Sequence, residues 1–201
     1  MSLDSYHKKR NFKKTREPKG QVHSTKNSLF VIQKHAASHL HYDFRLELEG
    51  VLKSWAVPKG PCLDSKVKRL AIHVEDHPIE YGTFEGIIPK GEYGGGTVML
   101  WDEGQWHSLD DDAVKAYQKG HLRFELIAKK LQGRWDLIRF KEKEWFLIKY
   151  KDQYAKSKKI MILLKKNRSV CFIINRWKKL VSIMMASGLK KVISPRILTP
   201  N

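Results

Sequence analysis

The feature of this sequence that most constrains its fold is a strict two-residue alternation over positions 41–48, His-Tyr-Asp-Phe-Arg-Leu-Glu-Leu. Successive side chains of an extended strand point to opposite faces, so this stretch predicts a strand with one apolar and one polar face. The polar face carries an imidazole, a guanidinium and two carboxylates, in the order His41, Asp43, Arg45 and Glu47. Neighbours on that face lie roughly 7 Å apart, because a strand rises about 3.3 Å per residue. The alternation is ordinary for a half-buried strand, but this set of polar residues suggests that the polar face is a functional site.

Short strands are also predicted along most of the chain, with turn-forming residues between them. The predicted strands are Leu29–Lys34, Tyr42–Leu48, Val51–Ala56, Arg69–Glu75, Gly96–Leu100, Gly104–Ser108, Leu122–Leu126, Gly133–Arg139 and Glu144–Lys149. One helix is predicted over Asp110–Gln118, because carboxylates stand at its start and Gly120 follows its end. Many short strands at this spacing are typical of an antiparallel barrel or sandwich. Their polar faces can then point into a cleft instead of solvent.

Charge is distributed unevenly along the 201 residues, whose formal net charge is +18. Residues 1–29 contain eight Lys or Arg and two acids, residues 30–150 contain 18 of each, and residues 151–201 contain 13 basic residues and one acid. A neutral body with two basic extensions favours a polyanionic partner such as nucleic acid. Basic tails that only increase solubility are the alternative. Residues 1–28 lack periodicity and predict a mobile basic arm.

Composition excludes several classes of protein. A hydrophobic content of 41% indicates a globular chain, and the length suits one domain with extensions. The two cysteines, Cys62 and Cys171, are far apart, which fits a reducing cytoplasm and argues against a disulfide scaffold. No signal-peptide core and no run of about 18 apolar residues is found, so no membrane span is predicted. An amphipathic helix fits Phe172–Ser187, but the fold of residues 155–201 stays open.

A metal site is one interpretation of the polar strand face and the histidine upstream of it. The candidate ligands are His35, His41 and Asp43, and three such ligands leave coordination positions open for water or substrate. No thiolate is among them, so Mn²⁺ is as plausible as Zn²⁺. Arg45, next along the face, can hold an anion beside the metal, which suggests chemistry on a phosphate. From spacing alone a histidine-rich surface turn is the stronger alternative, and His39 is not excluded as a ligand.

A second polar face is predicted farther along the chain, where His73, Glu75 and His77 alternate and Tyr81 follows. A histidine beside a phosphate can donate a proton to the leaving oxygen or hold a phosphoryl oxygen, and a tyrosine hydroxyl can add a hydrogen bond. A solvent-facing strand end before Pro78 is the alternative that the sequence alone favours.

Two turns complete the set of candidates. The stretch Phe84–Thr97 contains three consecutive glycines but lacks the Gly-Lys-Ser/Thr of a phosphate-binding P-loop, so a structural hairpin is the favoured interpretation. Lys59 lies between rigid neighbours in Pro58-Lys59-Gly60-Pro61. It can present an ammonium group to a phosphate, or it is simply a turn lysine.

Several of these stretches occur together and in one order: Phe30–His35, Leu40–Glu47, Ser54–Pro61, His73–Pro78, Tyr81, Phe84–Thr97, Trp135 and Trp145–Lys149. In that order they resemble the 3′-phosphoesterase domain of bacterial DNA ligase D. The resemblance extends over roughly residues 6–154. It is specific, because several of the matching stretches are long.

The resemblance implies a mainly β protein, a compact antiparallel β-barrel with a few flanking helices. The barrel would occupy residues 29–154, between the basic arm (1–28) and a basic C-terminal extension (155–201). The family is manganese-dependent and trims DNA 3′ ends during non-homologous end joining. It removes a terminal ribonucleoside by phosphodiester cleavage and then the remaining 3′-phosphate.

Residue roles follow from the same resemblance. His35, His41 and Asp43 would bind Mn²⁺, with other divalent metals as alternatives, and Arg45, His77 and Tyr81 would hold the scissile phosphate. Glu75, Lys59 and Arg69 are further candidates for the active site. The expected partners are DNA 3′ ends, ligase and polymerase modules, and Ku, with a cytoplasmic, nucleoid-associated location.

The sequence departs from the family in the arm, at Ala128, where a glycine is usual, and in residues 155–185. The arm of the family usually reads Lys-Arg-Asp-Phe, whereas this chain has Asn11 in Lys9-Arg10-Asn11-Phe12, so an arm contact to the site is in doubt. Residues 155–185 do not match, and the final residues resemble the linker that precedes a ligase domain. The chain is thus a fragment, or a stand-alone or degenerate relative.

The hypothesis from sequence is a metal-dependent phosphoesterase that heals DNA 3′ ends. Two rivals come from other classes: a nucleic-acid-binding module that has lost catalysis, and a small-molecule metallohydrolase. Two features weigh for the first rival: Asn11 and the unusual C-terminal third of the chain. The residues that weigh against it are the intact His35, His41, Asp43, Arg45 and His77.

Overall fold

The computed structural model of the chain describes residues 3–23 and 28–157. Most regular structure in these residues is β-strand, with two α-helices and one 3₁₀ helix. The elements in chain order are α1 (Asp4–Lys8), β1 (Leu29–Ala36), β2 (Leu40–Leu48), β3 (Val51–Val57), β4 (Lys68–His73), the 3₁₀ helix (Ile79–Thr83), β5 (Gly86–Ile88), β6 (Gly96–Ser108), α2 (Ala113–Lys119), β7 (His121–Ala128), β8 (Gln132–Arg139) and β9 (Glu144–Lys149).

Eight of the strands close into an antiparallel barrel. Their order is β1-β2-β3-β4-β9-β8-β7-β6, and β6 pairs back with β1. The short β5 adds to β6 at its first residues, where Gly86 lies opposite Val98. The predicted fold class, a mainly β antiparallel barrel with a few flanking helices, is confirmed, and the sandwich alternative is excluded.

Strand β6 is longer than the sequence predicts. Two strands separated by three residues were expected, whereas Gly96–Ser108 forms one continuous strand of 13 residues. It can be continuous because its partners differ along its length: the first half pairs with β5 and β1, the second with β1 and β7. The register with β1 shifts between Ile32 and Gln33, which indicates a β-bulge. The gap between the two predicted strands lies near this bulge.

The interior of the barrel is packed with side chains. The apolar faces of the strands supply this core, whose large aromatic members include Phe30, Phe44, Trp55, Phe124, Trp135 and Trp145. An eight-stranded barrel has an interior just wide enough for side chains to fill it. The polar faces of the strands therefore lie on the outside of the barrel.

The outer face of β1–β3 is covered by a second apolar layer. Leu3 and Tyr6 of the N-terminal segment pack there with Leu52, Tyr81 and Phe84. The Tyr6 hydroxyl donates a hydrogen bond to the Pro18 carbonyl at 2.5 Å, which ties the segment to itself. The N-terminal segment therefore differs from the mobile arm that the sequence predicts for residues 1–28, because it contains a helix and packs on the barrel. Helix α1 has only five residues, too few to show a helical period in the sequence.

Helix α2 agrees with the helix predicted over Asp110–Gln118, although it begins at Ala113. The Asp112 side chain caps it by accepting a hydrogen bond from the Lys115 amide at 3.0 Å. Gly120 ends it in the left-handed conformation, with a φ of 86°. Asp110 pairs instead with Arg123 of β7, which explains the later start.

Replacing Gly120 by alanine should lower the free energy of unfolding by about 2 kcal/mol. A Cβ there would be strained by the positive φ and would meet Arg139 Cβ at 2.9 Å. Gly91→Ala is the matched control, because its φ is also positive, at 94°, but no atom lies within 4 Å of the added carbon. We expect a loss of about 1 kcal/mol for it in urea unfolding. Equal losses in the two variants would contradict a role for the Arg139 contact.

The described residues up to Lys156 belong to one compact unit. The Lys156 amide donates to the Leu63 carbonyl at 2.8 Å, which fixes the chain after β9. The predicted amphipathic helix Phe172–Ser187 and most of the 155–201 extension lie outside the described residues. In the described ranges, no helix has the length and hydropathy that a membrane span requires.

Candidate metal and phosphate site

The polar faces of β1, β2 and β3 meet on the covered outer side of the barrel. In the antiparallel ladders His35 lies opposite His41, Gln33 opposite Asp43, and Arg45 opposite Ser54. Residues opposite each other in such a ladder point to the same face, so these side chains are neighbours. Unlike most polar strand faces they are largely buried, with Arg45 only 1% exposed.

Three of the predicted residues form a compact cluster of possible metal ligands. One donor atom from each of His35, His41 and Asp43 lies within 4.8 Å of the other two. His35 Nδ1 is 3.4 Å from Asp43 Oδ2, and His41 Nε2 is 3.5 Å from Asp43 Oδ1. Two ligands about 2.1 Å from one cation lie roughly 3.0–3.4 Å apart in octahedral or tetrahedral geometry. The two histidine–carboxylate distances are close to this range, so the three side chains are placed as candidate ligands of one divalent cation.

Backbone carbonyls orient both imidazoles toward the carboxylate. His35 Nε2 donates to the Gly94 carbonyl at 2.8 Å, and His41 Nδ1 donates to the His39 carbonyl at 2.9 Å. Because a carbonyl only accepts, each ring carries a proton on that nitrogen, and its other nitrogen is the one that faces Asp43. Such outer hydrogen bonds are the usual support of metal-binding histidines. His39 thus contributes its carbonyl, and its side chain is exposed.

The carboxylate of the cluster is kept ionised. Burial raises the pKa of Asp43, but the charge of Arg45 and hydrogen bonds from His35 and His41 outweigh it and hold the pKa well below its usual range. Burial lowers the pKa of His41, and Asp43 more than offsets this, so the pKa is raised. The site therefore offers a cation one ionised carboxylate, which would neutralise part of its charge, and two imidazoles as further ligands.

Arg45 is held rigidly beside this cluster. Its Nε donates to Gln33 Oε1 at 2.9 Å, its Nη1 to Ser54 Oγ at 2.7 Å, and its Nη2 lies 3.3 Å from Asp43 Oδ2. Gln33 is fixed in turn by donating to the Tyr81 and Phe84 carbonyls, both at 2.9 Å. A buried guanidinium with a fixed fork is suited to a planar or tetrahedral oxyanion.

His73, predicted to share a face with Glu75 and His77, packs instead against Trp55 of the core. His77 and Tyr81 lie beside Arg45. Their rings are 4.7 Å apart, and the Arg45 guanidinium lies 4.8 Å from the centre of the Tyr81 ring. His77 Nδ1 donates to the Glu75 carbonyl at 2.9 Å, and Nε2 accepts from Arg10 Nη2 at 3.1 Å. Burial and the charges of Arg45 and Arg10 hold the pKa of His77 well below its usual range, so the ring is neutral at pH 7.

The N-terminal segment supplies residues that sequence reasoning missed. The Arg10 guanidinium donates to Glu17 Oε1 at 2.8 Å and to Glu75 Oε1 at 3.1 Å. The Tyr81 hydroxyl also donates to Glu17, at 3.2 Å. Burial raises the pKa of Glu75, but hydrogen bonds from its own backbone and from Lys9 and the charge of Arg10 outweigh this and lower it. The arm was expected to bind nucleic acid, but part of its positive charge is paired with carboxylates at the candidate site.

Position 11 has no carboxylate, but the arm still reaches the site through its neighbour Arg10. The Asn11 side chain accepts from the Lys13 amide at 3.1 Å and stabilises a local turn. The glycine segment has a further role besides that of a hairpin, since Gly94 orients His35.

Two further predicted residues are not brought to the cluster. Lys59 is exposed in the turn after β3, and within residues 3–23 and 28–157 it makes no hydrogen bond or ion pair. Arg69 alternates with Ala71 of the packed core, so it points to the inner face of the barrel, and its buried Nε has no hydrogen-bond partner in the described structure. Glu47 binds the start of β1 by accepting from the Leu29 amide at 3.2 Å.

The barrel and its cluster define a β-barrel protein with a candidate site for a divalent cation and a phosphate-type anion. The family profile described as the DNA Ligase D 3′-phosphoesterase domain matches residues 33–139, slightly more than half of the chain. The chain belongs to this family. The match includes β1 from Gln33 onward and hence all three candidate metal ligands, whereas Arg10 and Glu17 precede it.

Curated relatives agree with the family. The chain is 56% identical over 162 residues to the multifunctional non-homologous end joining protein LigD of Pseudomonas aeruginosa, covering 77% of this chain and 19% of that protein. It is 43% identical over 155 residues to the LigD DNA repair protein of Mycobacterium tuberculosis, covering 75% and 20%. LigD of Mycolicibacterium smegmatis is 44% identical over 163 residues. The chain spans about a fifth of the length of these relatives.

Proposed function

We propose that this chain is a manganese-dependent phosphoesterase that heals DNA 3′ ends, removing a terminal ribonucleoside and then the 3′-phosphate. The observation that carries the proposal is the shared, covered face on which two oriented imidazoles and Asp43 adjoin a rigid guanidinium. The family supports the reaction class. The names of the relatives support a role in end joining. The partners that we propose for it are ligase and polymerase modules and Ku, in the cytoplasmic nucleoid.

His35, His41 and Asp43 would hold the cation, which when bound supplies Lewis-acid neutralisation of the phosphate charge. Manganese is proposed because a mixed imidazole and carboxylate set without thiolates suits it, and other divalent metals remain alternatives. Arg45 binds the phosphate from the adjacent position. Its Nε, Nη1 and Nη2 already contact Gln33, Ser54 and Asp43, so the second N–H group of each terminal nitrogen would donate to the phosphate.

Tyr81 and His77 complete the phosphate pocket in this proposal. Burial raises the pKa of Tyr81, so its hydroxyl stays protonated. That proton is donated to Glu17 in the structure and would be redirected to a phosphate oxygen when the anion binds. His77 must acquire a proton on Nε2 before it can donate to a phosphoryl or leaving oxygen. A bound phosphate supplies the nearby negative charge that favours this proton, and Arg10 then turns from His77 to the anion.

A duplex primer assay tests the proposed function. Primers ending in a 3′-phosphate or in one 3′-ribonucleotide should be converted to 3′-hydroxyl ends with Mn²⁺ and should stay intact with chelator. His41→Ala should abolish this conversion, whereas His107→Ala, an exposed histidine of β6, should retain it. Binding of the primer without cleavage would contradict the proposal in favour of a binding module. Equal turnover of p-nitrophenyl phosphate, without preference for DNA, would favour a small-molecule hydrolase.

A further inference from the structure

An exposed aromatic side chain stands at the edge of the candidate site. Tyr93 is 46% exposed and lies in the glycine segment between β5 and β6. It directly precedes Gly94, whose carbonyl accepts the hydrogen bond of His35 Nε2. The backbone that orients a candidate metal ligand therefore also carries this ring.

Tyr93 also contacts Glu75 and the N-terminal segment. Its hydroxyl lies 3.4 Å from Glu75 Oε2 and 3.3 Å from Lys9 Nζ, within hydrogen-bond distance of both. The Lys9 ammonium is 4.7 Å and the Arg10 guanidinium 5.4 Å from the centre of the ring. Both of these cations also contact Glu75. Tyr93 thus connects the His35 side of the site to the Glu75 side while much of its surface stays open.

Other exposed aromatic side chains of the described structure lie elsewhere on the barrel. Phe140 stacks on Phe146, next to β8 and β9, and Tyr150 and Tyr154 follow β9. None of them has a ring contact or hydrogen bond with the cluster residues in the described ranges. An exposed ring held beside cations and a phosphate-type site is the arrangement that single-stranded nucleic-acid binding uses.

We propose that Tyr93 is the platform on which the base of the 3′-terminal nucleoside stacks when its phosphate occupies the site. The inference rests on the proposed function and names the part of the substrate that the site recognises besides phosphate. Stacking tolerates every base, because each has a π-face, and this suits an enzyme that must accept any DNA end. Tyr93 is a binding residue in this account, and the chemistry stays with the cluster.

The alternative is that Tyr93 only positions Glu75 through its hydroxyl. Tyr93→Phe removes the hydroxyl and keeps the ring, whereas Tyr93→Leu removes the ring. The two variants therefore separate stacking from positioning. Tyr150→Leu is the matched control, because Tyr150 is 52% exposed and precedes the C-terminal segment on another part of the barrel.

The test is the dissociation constant for a fluorescein-labelled duplex primer with a 3′-phosphate, measured by fluorescence anisotropy without metal. Each protein binds two primers, one with a normal 3′-terminal nucleotide and one with an abasic tetrahydrofuran analogue there. Wild type should bind the normal primer roughly 5- to 150-fold more tightly than the abasic primer. Tyr93→Leu should lose this preference, whereas Tyr93→Phe and Tyr150→Leu should keep it. With Mn²⁺, Tyr93→Leu should raise KM more than it lowers kcat.

Three results would overturn the inference: no base preference in wild type, a retained preference in Tyr93→Leu, or an equal loss in Tyr93→Phe. These outcomes differ from failure of the proposed function. If wild type released no phosphate with Mn²⁺ but showed the base preference and lost it in Tyr93→Leu, the stacking role would stand and the phosphoesterase function would fall.

Discussion

Replacing Asp43 by alanine should lower Mn²⁺-dependent phosphate release from a 3′-phosphate primer by on the order of 10³-fold. Asp43 is the residue that both imidazoles and Arg45 share, with its carboxylate oxygens 3.3 to 3.5 Å from all three. Its loss removes the anionic ligand and leaves three basic groups facing one another. The affinity for Mn²⁺, measured by isothermal titration calorimetry, should fall together with the rate.

Asp43→Asn separates the loss of charge from the loss of volume, because it keeps the shape of the side chain. It should be nearly as inactive as alanine, and its circular dichroism spectrum should match wild type. Asp136→Ala is the control, since Asp136 is a carboxylate of β8 whose ionic partner is His121. Full activity of either Asp43 variant would disprove the ligand assignment, and so would an equal loss in the Asp136 variant.

Replacing Arg10 by alanine should lower the free energy of unfolding by about 3 kcal/mol. The Arg10 side chain is 4% exposed, pairs with Glu17 and Glu75, and packs 3.9 Å from the centre of the Tyr6 ring. Glu17, whose side chain is 1% exposed, would then be a buried carboxylate without a cation. Removing one member of a buried pair is costly for this reason. Urea unfolding at pH 7 measures the difference.

Lys9→Ala is the matched control for Arg10. Lys9 also pairs with Glu75, at 3.0 Å, but its side chain is 39% exposed, so its ion pair is screened by water. Its loss should change the free energy of unfolding by less than about 1 kcal/mol. Similar losses in the two variants, or a stable Arg10 variant, would contradict a structural role for the buried pair.

Much of the barrel could be predicted from the sequence, because alternation in a strand that buries one face is a local signal. The two halves of β6 were each predicted, but not their union, since the bulge opposite Ile32 and Gln33 depends on the partner strand. Helix α1 and strand β5 were missed, because five and three residues are too few for a period to show.

The central residues of the site were also predictable. His41, Asp43 and Arg45 share a face by the two-residue period, and the ladder of the neighbouring strand places His35 opposite His41. The resemblance to the family then selected the metal interpretation over a surface turn. The alternation of Gln33 with His35 places the two side chains on the same strand face. The sequence does not indicate which group Gln33 binds there.

The contribution of the N-terminal segment could not be predicted. Arg10 and Glu75 are 65 positions apart, and no local pattern indicates that the segment folds back over the barrel. Its excess of positive charge favoured nucleic acid as the partner, whereas Lys9, Arg10 and Lys14 pair with carboxylates of the chain itself. Charge totals show what a segment can bind, but not which of its residues remain available.

Anomalous diffraction from crystals grown with Mn²⁺ tests most directly whether the covered polar face is a metal centre. Data collected at the manganese edge should give one strong peak within about 2.3 Å of His35 Nδ1, His41 Nε2 and an Asp43 oxygen, and crystals of Asp43→Asn should lack it. A peak elsewhere, or an empty cluster at saturating Mn²⁺, would contradict the account.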